Sequence, residues 1–164
     1  MTDVVVNISS VRGDEYRIRI SSSDTRFLSD KVVQEISDSI DVLVIELERV
    51  RGQLPTGHNV LSQIEKVIAD VFCQHPNSVI CFICDFMSPI PATSKKIPPQ
   101  QYRSILFTRM FERYVLHHPV GNVIQSVLTI SGMTDDYYIH IIARSEHMRF
   151  VNLISEDIRT GYSK

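Results

Sequence analysis

No stretch of this 164-residue chain stays apolar for the roughly 18 residues that a bilayer-spanning helix requires, so a helical membrane span is excluded. Charge of one sign is missing as well. Seventeen Lys and Arg stand against 19 Asp and Glu, for a formal net charge of −2. That balance argues against a nucleic-acid protein working by whole-surface electrostatics, though it leaves room for a local basic patch. Cysteine is sparse: Cys73, Cys81 and Cys84 are an odd number, all inside apolar segments. Such usage fits reduced, buried thiols and not a secreted disulfide framework. Met1-Thr2-Asp3 is acidic where a secretion signal is basic, so the expected location is the cytoplasm. The signatures of common chemistries are also missing. There is no P-loop, no Rossmann glycine fingerprint, no H-E-x-x-H and no G-x-S-x-G.

What is present is enough for one domain, with no internal repeat or linker. A chain of this size buries about 68–70% of its unfolded surface and needs no covalent or metal staple. The organising stretch is Val79 to Asp85, an almost unbroken apolar run after the turn signal Pro76-Asn77-Ser78. A short run rich in β-branched and aromatic residues between turns reads as a strand buried on both faces. Val4 to Ser10 and Tyr16 to Ser22 alternate around Arg12-Gly13-Asp14, the pattern of a hairpin with one wet face. The triplet spells an adhesion motif, but Gly and Asp are turn residues for backbone reasons, and turn chemistry is the expectation. Val32, Val33, Ile36 and Ile40 fit either a short helix capped by Ser29 or Asp30 or an irregular strand, and Asp41 to Val50 is a third strand.

Leu61, Ile64, Val67, Ile68, Val71 and Phe72 recur at helical spacing. Asn59 or Ser62 is the expected cap, Ser62 standing three residues before Glu65 as in a capping box. A proline-rich loop spans Ser88 to Pro99, and Pro98-Pro99 opens a second helix that runs to about His117. Asn122 to Ser131 and Tyr137 to Arg144 form a closing hairpin, and Phe150, Leu153, Ile154 and Ile158 a short terminal helix. The fold class is α+β: a mostly antiparallel sheet of about five or six strands, two main helices against one face, and the short C-terminal helix.

A helix leading into an apolar strand that ends in Cys84-Asp85, then a polar loop, then a helix carrying Arg103, Phe107, Met110 and Phe111, resembles a family of small bacterial proteins. That family is known only as a domain of unknown function. Met110 stands where its pattern prefers Trp, and the Tyr138 to Arg144 strand is similar too. The resemblance covers about 100 residues and implies an α+β fold. It carries no activity.

Projected at about 100° per residue, Arg103 falls near the middle of the inward arc of the second helix, among Tyr102, Leu106, Phe107, Met110, Phe111 and Tyr114. An inward arginine needs a partner, and Asp85 at the carboxyl end of the central strand is the expected one. Asp85, Arg103, Lys95 and Lys96 therefore form a candidate ligand-binding constellation, able to hold a phosphate or carboxylate. The plainer expectation is that Asp85 and Arg103 simply pair to anchor loop and helix, with Lys95 and Lys96 solvated.

Cys81 and Cys84 form a C-x-x-C, but residues three apart on a strand point to opposite faces and cannot grip one ion. Cys84 becomes a nucleophile only if His75 or His140 comes close. His117-His118 at a helix end favours the dipole, and Asp135-Asp136 a solvated turn. No catalytic residue, cofactor or metal is expected. Two functions stay open. One is a non-catalytic protein-binding or regulatory module, with a homodimer possible through the third and last strands. The other is binding or processing of a phosphorylated or nucleic-acid ligand around Asp85 and Arg103.

Overall fold

The computed structural model describes residues 3–22, 24–52, 57–84, 97–118, 121–133 and 136–162. In chain order the elements are β1 (Asp3–Ser9), β2 (Glu15–Ser21), α1 (Asp30–Ile36), β3 (Asp41–Arg51), α2 (His58–Gln74), β4 (Ser78–Cys84), α3 (Pro99–His117), β5 (Val123–Ile130), β6 (Tyr137–Arg144) and α4 (Met148–Tyr162). The ambiguous segment after the hairpin is a helix. Ser29 caps it by accepting from the Val32 amide, satisfying one of the donors that the first turn leaves open.

The six strands form one sheet in the order β1-β2-β3-β4-β6-β5. Every pair is antiparallel except β3 with β4, the parallel pair that α2 connects. The fold is α+β, as expected. The third and last strands, however, are both interior: β3 lies between β2 and β4, and β6 between β4 and β5. β6 is paired on both sides, and β3 pairs with β2 throughout and with β4 up to Ile45, so neither is the free sheet edge that the self-association route through them requires. The edges are β1 and β5.

Period-2 alternation sorts the sheet residues into two separate cores. One cluster joins Ile18, Leu43, Ile45, Ile80, Phe82 and Ile142 to the buried stripes of α2 and α3. The other joins Val42, Val44, Val79, Cys81, Ile139 and Ile141 to α1 and α4. Strand β4 contributes to both, and its residues are buried along nearly the whole length. At the β1-β2 end the second face stays wet, and Arg17, Arg19, Asp3, Glu46 and Glu48 pair across it. Exposed pairs of this kind contribute at most about 1 kcal/mol each.

Two local expectations need correction. Helix α2 begins at His58 with Gly57 at its N-cap and no side-chain cap bond. Ser62 therefore lies inside the helix, where its hydroxyl accepts from Arg113 on α3, and the Ser62-Glu65 spacing caps nothing. Cys73, in the last turn of α2, is exposed, unlike the buried Cys81 and Cys84 on β4.

The Arg12-Gly13-Asp14 turn is held from within. The Asp14 side chain is buried and accepts from the Ser10 hydroxyl at 3.1 Å, while the Ser10 oxygen accepts from the Asp14 amide. Gly13 has φ +85°, and Gly52, φ +108°, passes so close that an added Cβ lies 1.9 Å from Asp14 Oδ1. Gly52→Ala is expected to cost about 2–3 kcal/mol, from positive-φ strain plus the clash. Gly13→Ala meets nothing within 4 Å and is expected to cost only about 1 kcal/mol. Urea denaturation of the two variants checks the order.

Candidate functional site

The strand-end region is shaped by a divergence between β3 and β4. The two pair only from Asp41–Ser78 to Ile45–Phe82, whereas β3 continues to Arg51 along β2 alone. Beyond Ile45 the side of β3 that faces β4 pairs with no strand among the described residues. Helix α3 closes this gap with Arg103. Its guanidinium donates to the Leu47 carbonyl at 2.9 Å, and the residue is only 3% exposed. The arginine is thus tucked inward, as the helix projection requires. Asp85, Lys95 and Lys96 lie outside the described residues, so of the four constellation members only Arg103 has a position to report. This guanidinium bond goes to backbone and plugs a carbonyl that no strand among the described residues reaches.

The next residue of the helix delivers a polar group that sequence reasoning did not single out. Ser104 Oγ lies 2.7 Å from His140 Nε2, and Gln125 Nε2 lies 2.9 Å from His140 Nδ1. His140 is fully buried, with Phe107 edge-on at 5.2 Å between ring centroids. An amide nitrogen can only donate, so Nδ1 accepts and the ring proton rests on Nε2, directed at the serine. In this tautomer the imidazole gives a hydrogen bond to Ser104 and does not draw its proton, the reverse of what an activated nucleophile needs. Burial pushes His140 down to about 4, which keeps the ring neutral.

Cys84 shares this face, its pair with Tyr138 standing two positions from the Phe82–His140 pair. Cys81, on the other face, is pushed up to about 12 by burial and is inert as a nucleophile. The two thiols point apart, as the strand geometry requires. Among the described residues no three His, Cys, Asp or Glu side chains gather as a metal site.

At the opposite end of the same face, α2 and α3 terminate side by side. Arg144 closes α2, donating to the carbonyls of Phe72 at 3.0 Å and Pro76 at 2.9 Å while its guanidinium lies 4.2 Å from the Phe72 ring centroid. His117 and His118 direct Nδ1 at the carbonyls of Arg113 and Tyr114, which places a proton on each Nδ1 and caps α3. Ser104 and His140 were legible only in part. Ser104 follows Arg103 on the helix, and His140 interrupts an apolar strand, but which neighbours they meet depends on register.

No family model, no curated protein and no solved structure matches this chain. The likeness of its central third to a bacterial family accordingly carries nothing further here.

Two outcomes follow from this geometry. Arg103→Ala uncovers the Leu47 carbonyl and leaves a void, and is expected to destabilise by about 3 kcal/mol in urea titration; a negligible shift contradicts the plug. For His140, the folded value is depressed relative to the unfolded value near 6.5. The stabilisation is therefore complete above about pH 6.5 and is lost as pH falls toward 4, by up to about 3 kcal/mol. Unfolding free energies measured from pH 7 to 4 are expected to fall more steeply for the native protein than for His140→Gln.

Proposed function

We propose that the chain is a non-catalytic protein-binding module that accepts an extended segment of a partner along the outer side of β5, in the cytoplasm. The observation that carries this is the make-up of that edge. Val123–Ile130 is an eight-residue edge strand containing no charged residue, no proline and no glycine. Natural edge strands are normally guarded by such residues, by bulges or by shortness, because an open row of N–H and C=O groups templates pairing. The other edge, β1, carries Asp3 in an ion pair with Arg19. Val127 on β5 is 43% exposed on the face shared with His140, so an added strand gains apolar contact there beside its backbone bonds. The pairing register from Val123–Arg144 to Ile130–Tyr137 has no shift, so the edge is straight enough to extend.

The rival reading, a phosphorylated or nucleic-acid ligand at Asp85, Arg103, Lys95 and Lys96, has less support. It needs an open guanidinium, and that of Arg103 is covered and already donating to Leu47. Ser104 and His140 support no catalysis in the tautomer their partners select.

The test is capture of partners from the native cell lysate by the purified chain, compared with Val127→Lys/Thr129→Lys on β5 and Val5→Lys on β1. The expected result is loss of captured proteins with the β5 variant and retention with the β1 variant. Identical capture by all three proteins contradicts the proposal, and self-capture alone assigns the edge to a second copy of the chain.

A further inference from the structure

Between α2, α3 and the β5-β6 end of the sheet lies a cavity of about 80 Å³, well above the roughly 10–15 Å³ that seats one water. It is open at one side. Ile68, Phe72, Ile80, Phe107, Met110 and Ile142 wall it with carbon. A void with such walls offers water few partners and suits an apolar body.

Its polar lining includes Glu65, Tyr114, Asn122 and Arg144. Glu65 lines the cavity, and its Oε2 is covered yet makes no hydrogen bond. A covered carboxylate oxygen without a donor is costly, of order 1–3 kcal/mol and more when charged, which marks a place where a donor is missing. Tyr114 stands across the rim. Its phenol is raised by burial first, then by Cys73, Asp70 and Glu65, all acting in the same direction. The cation that lines the cavity, Arg144, is turned to the carbonyls of Phe72, His75 and Pro76 and to the Phe72 ring, and no ion pair joins it to Glu65 among the described residues.

We infer that this cavity is a binding site for a small amphiphilic cation, an aryl or short alkyl body seated among Phe72, Phe107 and Met110 with an ammonium head on Glu65. The body satisfies the carbon walls, and the head pairs with the carboxylate of Glu65, which lines the cavity and turns its covered Oε2 toward the donor on binding. This site is separate from the β5 edge, and small probes test it without any protein partner.

The probes are 2-phenylethylammonium and phenylacetate, matched in body and opposite in charge, with binding read by isothermal titration calorimetry and by the shift of the thermal midpoint. The ammonium is expected to bind at least tenfold more tightly than the acetate. Glu65→Gln is expected to remove that preference, and Ala69→Phe, which fills the cavity, to abolish binding of both. If Glu65→Gln does not fold, the contrast between the two probes on the native chain and the Ala69→Phe variant still decides. Absent binding of the ammonium, equal binding of the two probes, or binding that survives Ala69→Phe overturns the assignment.

Discussion

Strand β4 is the constraint on which the rest of the molecule depends. It is bonded on one side to β3 and on the other to β6, and its side chains enter two cores at once. Val79 and Cys81 pack toward α1 and α4, while Ile80, Phe82 and Cys84 pack toward α2 and α3. A one-residue slip exchanges every one of these side chains between the faces, so the register of β4 fixes the placement of all four helices. The parallel pairing with β3 follows from the same geometry, because α2 must cross one face to bring the chain back in the same direction.

Because β3 outlasts its pairing with β4, the sheet opens at one corner, and α3 inserts Arg103 there. A charged side chain sits 3% exposed in the same layer as Leu106 and Phe107, and its guanidinium donates to the Leu47 carbonyl. Ser104, His140 and Gln125 extend that polar seam inward. With each His140 nitrogen in a hydrogen bond, the seam costs little and holds the imidazole in one tautomer, which is how a buried polar network adds specificity. At the other end of the layer Arg144 and the two histidines close the helix ends, whereas Glu65 Oε2 is covered and makes no hydrogen bond.

Much of the architecture was legible in the sequence. The two-face burial of Val79 to Cys84, the hairpin alternation of Tyr16, Ile18 and Ile20, and the 3.6-residue spacing on α2 and α3 are local patterns with local causes. The inward aim of Arg103 was legible for the same reason, since helical projection depends on nothing beyond the helix. What was not legible depends on register and strand order. Nothing local distinguishes β6, which is interior, from β5, which is an edge, because both are mainly apolar runs. The meeting of Ser104 with His140 needs the pairing of β6 with β4 and the seat of α3 above it. Glu65 looked like part of a cap, and only the true start of α2 at His58 moves it to the rim of a cavity.

Native-state hydrogen exchange tests the central role of β4 most directly. The account requires the amides of Val79–Cys84, together with their β6 partners, to exchange only through global unfolding, while amides on the outer side of β5 and β1 exchange orders of magnitude faster. Exchange of the β4 amides through a smaller opening, with the two helical layers still folded, contradicts it.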